Sequence, residues 1–176
     1  MYKYVSQLSN YSQVILIIFL SITLFNCDEK DKVLEGIMIN EFLAINENCC
    51  ADEYDEYDDW VEIYNSNNES VNIGGMYFSD KVNDSNPYQI CDSNAVYTTI
   101  PPKGFLVLWC DGDEEQGPLH MNLKLSGNGE SVILIDRDGK TIIDGYTFGN
   151  QTADVSMGRS GDDWVYFEYP TPGQVN

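Results

Sequence analysis

The chain has 176 residues, 29 acidic side chains against 9 basic ones, and a formal net charge of −20, a length that fits one domain with a tail. Its 43% hydrophobic and 12% aromatic content can fill a packed core and argues against a disordered chain. The charge excludes nucleic acid as a partner, because phosphate binding needs Lys and Arg to release counterions, and one histidine, His120, leaves few ways to build a His-based triad or a multi-His metal centre.

The first element is an uncharged apolar run, Val14 to Phe25. It suits the hydrophobic region of a signal peptide and is short of the roughly 20 residues that span a bilayer. Leu24-Phe25-Asn26-Cys27 resembles a lipobox, with Asn26 where Gly, Ala or Ser is more common, so Cys27 is the expected lipidation site. The acidic stretch from Asp28 to Asp31 resembles the tether of Bacteroidetes-type lipoproteins carried to the outer membrane or cell surface. The expected organisation is a signal peptide over 1–26, a lipidated tether over 27–35 and one domain over 36–176 outside the cytoplasm. An uncleaved anchor helix is the alternative. After Cys27 there remain 8 basic and 29 acidic side chains, a net charge of −21 that keeps a tethered domain soluble.

With Cys27 assigned to lipid, Cys49, Cys50, Cys91 and Cys110 remain. An even number in an oxidising compartment suggests disulfides, with three two-bridge pairings open. A bridge between the neighbours Cys49 and Cys50 would strain the peptide link, so each is expected to reach a distant partner; the alternative is that some stay reduced and buried. One bridge to Cys110 would pin two acidic loops together, and one to Cys91 would staple the irregular segment between Asp80 and Ile100. Zinc-type Cys/His spacing is not found.

From Gly36 onward short apolar runs alternate with turn signals, the pattern of many short strands. Strands are predicted at 37–44, 60–65, 76–79, 105–110, 121–125, 131–136, 141–148, 155–158 and 164–167. Trp60-Val61-Glu62-Ile63-Tyr64 alternates cleanly, placing Trp60, Glu62 and Tyr64 on one face. Asp138-Gly139 marks a hairpin, since Gly tolerates the positive φ of a tight turn. No stretch after Cys27 carries a convincing helical period. Eight or nine strands in this length predict an all-β sandwich.

An ordered set of segments resembles the lamin tail domain, an immunoglobulin-like module. Ile39-Asn40-Glu41-Phe42-Leu43-Ala44 resembles its opening strand, and Asp58-Asp59-Trp60-Val61-Glu62-Ile63-Tyr64-Asn65 its most recognisable one. The likeness continues through 71–80, 100–104, 122–126 and 129–134 and closes on Thr171-Pro172-Gly173. Gln116-Gly117-Pro118-Leu119-His120 is similar to a stretch of the bacterial secreted branch, whereas the cysteines are this chain's own. The resemblance implies an immunoglobulin-like β-sandwich that binds or anchors rather than catalyses.

Two acidic loops carry the chemistry that remains. The first, 52–59, holds six carboxylates in eight residues, and the second, 111–115, follows the strand that ends at Cys110. Asp52, Asp55, Asp58, Asp59, Asp111 and Asp113 are candidate Ca²⁺ ligands, because Ca²⁺ takes six to eight oxygens in flexible geometry; the alternative is a solvated loop without metal. The spacing is not that of an EF-hand. The carboxylates also admit a Ca²⁺-dependent hydrolase or a glycosidase pair, though no pair is singled out and nucleophile elbows, P-loops and HExxH are not found. Tyr54, Tyr57 and Tyr97 fall outside the strongest strands and can contact a sugar or a partner protein. His120 is expected to hold its loop by hydrogen bonds rather than to catalyse, with partner contact as a second role. The expected function is a non-enzymatic surface lipoprotein that binds protein or glycan.

Overall fold

A computed structural model describes residues 34–176. The signal peptide, Cys27 and most of the tether lie outside the described residues. Eleven strands run in the order β1 (Ile37–Leu43), β2 (Asp59–Asn65), β3 (Val71–Asn72), β4 (Tyr77–Ser79), β5 (Tyr88–Gln89), β6 (Thr99–Ile100), β7 (Phe105–Cys110), β8 (Glu130–Ile135), β9 (Ile142–Phe148), β10 (Ser156–Ser160) and β11 (Asp163–Phe167). One sheet has the order β11-β10-β1-β2-β7 and the other β5-β4-β8-β9, with β3 and β6 as a small separate pair. All strand pairs are antiparallel. The expected immunoglobulin-like β-sandwich is what forms.

The core lies between the two sheets. Phe42, Val61, Ile63 and Leu108 from the first meet Phe78, Val132, Leu134 and Phe148 from the second. Phe42 and Phe148 are 4.5 Å apart at their ring centroids, and Trp164 packs on both Phe42 and Tyr146. Buried aromatic pairs of this kind each stabilise by about 0.5–1.5 kcal/mol beyond the area they bury.

The period of two along β2 sends Val61 and Ile63 inward and Trp60, Glu62 and Tyr64 outward. Trp60 and Glu62 are nevertheless fully buried. The reason is tertiary: two irregular segments cover this outer face. The segment after β1 brings Cys49 over a second apolar cluster of Leu43, Trp60 and Trp109. The segment 171–176 covers Glu62 and its neighbour in β1, Glu41, which face each other across the ladder.

Glu41 reaches that position through a bulge. Ile39 pairs with Ile63 and Glu41 with Glu62, so Asn40 is an extra residue and shares the outer face. The disturbed backbone is satisfied by side chains: Asp144 Oδ2 accepts from Ile39 N at 2.9 Å, and Arg159 Nε donates to Ile39 O at 2.8 Å. Arg159 also binds both oxygens of Asp144 and lies over the Trp164 ring.

Five elements differ from the sequence reading. Residues 121–125 do not form a strand; Lys124 makes one isolated bridge to Asp111, Met121 N–H donates to Trp109 O, and Leu123 N–H turns back to Met121 O at 2.7 Å, which interrupts the ladder. The short strands β3, β5 and β6 have too few residues to show a period. A four-residue helix, α1 (Ala95–Thr98), starts where Asn94 Oδ1 accepts from Val96 N at 3.1 Å.

The cysteines also differ. Cys49 and Cys50 are bonded to each other, and Cys91 and Cys110 are free, so neither distant bridge forms. Strand alternation explains it: Trp109 points outward to the Cys49 cluster, and the next residue, Cys110, points into the core. Burial, with the charges of Asp59 and Asp111 beside it, pushes the Cys110 thiol well above its ordinary pKa, so it behaves as a core residue. Cys91 is half-buried in the irregular segment with its sulfur 3.1 Å from Ser93 Oγ.

Candidate functional site

Both acidic loops lie at the end of the sandwich where β2 begins and β7 ends. Asn46 organises the first. Its Nδ2 donates to Cys50 O and Asp58 O, both at 2.8 Å, and its Oδ1 accepts from Cys49 N. Asp154 holds the loop from outside by accepting from Glu47 N and Asn48 N at 2.8 and 2.9 Å.

Asp52 shapes the acidic turn itself. Its Oδ1 accepts from Tyr54 N at 2.8 Å and Glu56 N at 2.9 Å, while its own backbone N–H donates to Glu56 O. Asp55 takes the positive φ of 63° at the tip, which Asp tolerates better than most residues. One oxygen of the carboxylate is thereby used. The other, Oδ2, is buried without a hydrogen-bond partner, and the residue is only 8% exposed.

The second loop leaves β7 at Asp111, turns through a single 3-10 turn at Glu114–Gln116 and returns through His120. Trp109 N donates to Leu119 O and Met121 N to Trp109 O, each at 2.8 Å. This parallel pairing sets the His120 ring against Trp109 and beneath Tyr54. His120 is fully buried; Nδ1 makes a close contact with Asp111 Oδ2, and Asp111 Oδ1 accepts from Asp113 N at 2.9 Å. Nε2 lies 3.4 Å from Glu53 Oε1 but has no hydrogen-bond partner of good geometry. Burial opposes charge on the ring, but the hydrogen bond to Asp111 and the Glu53 carboxylate outweigh it and hold the His120 pKa above its ordinary value.

The loops are therefore side by side, but not through the expected bridge to Cys110: no disulfide joins them. Tyr54 Oη donates to Gln116 O and Gln116 Nε2 to Glu56 Oε2, both at 2.7 Å, with His120 and Glu53 closing the seam. Between them lies an open depression of about 480 Å³ lined by Asp55, Glu56, Tyr57, Asp58, Asp111, Asp113 and Lys124. Burial, then the charges of Asp111, Asp52 and Glu56, push the Asp58 pKa up. Asp59 is pushed up to about 6, chiefly by burial.

Two sets of ligand atoms stand within 4.8 Å of one another: Asp52 with Asp111 and His120, and Asp52 with Glu56 and Asp58. Of the Ca²⁺ candidates, the structure thus brings together Asp52, Asp58 and Asp111. It does not bring Asp55, Asp59 or Asp113 into either set; Asp59 accepts from Asn46 N and Asp55 and Asp113 are exposed. Glu53, Glu56 and Gln116 were not singled out by sequence reasoning, since only the folded loops show which of many carboxylates face His120. Tyr54 and Tyr57 are each about half exposed at this end, and Tyr97 is half exposed on α1.

A family model for the lamin tail domain matches residues 22–150. The chain belongs to the lamin tail domain family. The fold runs past that match, because β10 and β11 complete the β1 sheet. No curated protein and no solved structure matches the chain.

Proposed function

We propose that this chain is an extracytoplasmic lipoprotein of the bacterial secreted branch, whose lamin tail domain presents one end of its sandwich to a protein or glycan. The observation that carries the reading is that end itself. Two loops are clamped together by Tyr54, Gln116 and His120 around an open acidic depression lined in part by Tyr57, and Tyr54 and Tyr57 are both half exposed at this end. Exposed aromatic rings at a rigid rim give contact area at little entropy cost. The openness of the depression supports binding over hydrolysis, which favours an enclosed pocket. The apolar run and Cys27 support a lipid anchor on the membrane.

Two substitutions test it. Cys27→Ala releases the protein from the membrane fraction and abolishes incorporation of labelled fatty acid; a substituted protein still firmly embedded means an uncleaved anchor instead. Tyr57→Ala reduces retention on glycan arrays and on purified surface proteins of the producing cell, while Tyr97→Ala, away from the depression, leaves it unchanged. Equal retention by both variants rejects the loop end as the binding surface.

A further inference from the structure

We infer that Asp52, Asp111 and His120 hold a divalent transition-metal cation of the Zn²⁺ or Mn²⁺ type, which locks the two acidic loops together. Acidic loops alone would not suggest this, but a buried carboxylate oxygen without a partner does. Asp52 Oδ2 is enclosed and unpaired on a residue 8% exposed, and Asp52 stands beside the buried Asp111–His120 pair. An orphaned carboxylate oxygen at such depth is costly. The surroundings are also short of positive charge: Asp52 and Asp111 are buried together near Glu53, Glu56 and Asp58, faced by Lys124 and the imidazole.

The donor set selects the metal. One carboxylate oxygen each from Asp52 and Asp111 and one ring nitrogen of His120 lie within 4.8 Å of one another. Ligands on one tetrahedral ion at roughly 2.1 Å sit roughly 3.4 Å apart, so the close Nδ1–Asp111 contact opens to admit the ion and Asp52 adjusts to meet it. The ion takes the place of the proton between Nδ1 and Asp111, which is released to solvent, and Nε2 keeps its proton facing Glu53 Oε1, 3.4 Å away. A carboxylate on the far ring nitrogen is the usual outer support of a metal-bound histidine. Imidazole suits Zn²⁺ and its neighbours, whereas Ca²⁺ takes oxygen alone. Asp52 is the pivotal ligand because Oδ1 already holds the turn and Oδ2 is free for the ion.

The test uses the full chain purified in detergent and stripped with chelator, titrated calorimetrically with Zn²⁺, Mn²⁺ and Ca²⁺. A Cys91→Ser background removes the free half-buried thiol as a competing ligand. One Zn²⁺ or Mn²⁺ per chain is expected, bound about tenfold or more tighter than Ca²⁺ and weakened about tenfold or more by Asp52→Asn and by His120→Gln. Asp162→Asn, on an exposed carboxylate between β10 and β11, leaves the affinity unchanged. Because His120 is the chain's one histidine, substoichiometric Mn²⁺ must also broaden its ring resonances in the wild-type protein, a readout that does not depend on the variants folding. Undiminished binding by Asp52→Asn, tighter binding of Ca²⁺ than of Zn²⁺ and Mn²⁺, or unbroadened His120 resonances each overturns the assignment. Loss of the Tyr57-dependent retention above would leave it standing.

Discussion

The outer face of the β1–β2 sheet buries carboxylates in two places, and the two are built in opposite ways. At one, Glu41 and Glu62 lie under the segment 171–176 with every oxygen used. Glu41 accepts from Ser156 Oγ, Thr171 N at 3.0 Å and Thr171 Oγ1 at 2.7 Å; Glu62 accepts from Asn40 Nδ2 at 2.8 Å and from Gly173 N. At the other, Asp52 and Asp111 lie under the acidic loops with Asp52 Oδ2 unpaired. A saturated carboxylate is a structural fastener. An unsaturated one contributes less to the fold and keeps an acceptor free.

The sharpest way to break the comparison is at the fastener. Glu41→Ala strands three donors, each worth about 1–3 kcal/mol when buried and unpaired, so a loss of about 3 kcal/mol or more is expected. Urea melts measure the loss, and protease cleavage near Thr171 shows whether the 171–176 segment has come free. An unchanged urea midpoint would show that the segment holds without Glu41.

The next effect is on pH. Burial pushes Glu62 up to about 7 from 4.5, against the pull of the hydrogen bonds from Gly173 and Asn40. The folded state therefore binds the proton more tightly than the unfolded state. The stability from this group is fully present below about pH 4.5 and is lost as pH rises through about 7. The melting temperature of the wild-type protein should fall across that window, and Glu62→Gln should flatten the fall. Parallel profiles for the two proteins would assign the dependence to the general acidic charge.

Asp52→Asn should behave oppositely to Glu41→Ala. The amide keeps the Oδ1 contacts to Tyr54 and Glu56 and removes a charge from among Asp58 and Asp111. In chelator its melting temperature should match or exceed that of the wild type, by up to about 1 kcal/mol in stability. The order should reverse in Zn²⁺, where the wild type gains more from the ion than the weakened variant does. A variant clearly less stable in chelator would make Asp52 a fastener too.

Reducing the Cys49–Cys50 bond should matter least. Joining chain neighbours removes almost no freedom from the unfolded chain, so the thermal midpoint should shift by at most about 1 °C. A larger drop would show that the bonded pair is needed to cover Trp60 and Trp109.

Much of the fold was legible because it rests on local period. The alternation of β2 and the apolar runs of β1, β7, β8 and β9 gave strands within a residue or two of their observed ends. The ordered segments 39–44, 58–65 and 171–173 also have a physical link that no single segment reveals: Glu41, Glu62 and Thr171-Pro172-Gly173 meet in one hydrogen-bonded fastener. Residues 121–125 misled because their apolar pattern is that of a strand while their backbone bonds go to the edge of β7.

By itself, then, the sequence determined the β-sandwich, the family and the presence of two acidic loops, since each depends on composition or on spacing along the chain. Tertiary structure decided which carboxylates are buried and which of those are satisfied. It placed His120 between Asp111 and Glu53, residues 9 and 67 positions away in the chain. It also separated Cys110 from Cys49 by putting them on opposite faces of one sheet. The physical reason is the same in each case: burial and hydrogen bonding are properties of neighbours in space, and on this outer face the neighbours come from irregular segments that carry no period to read.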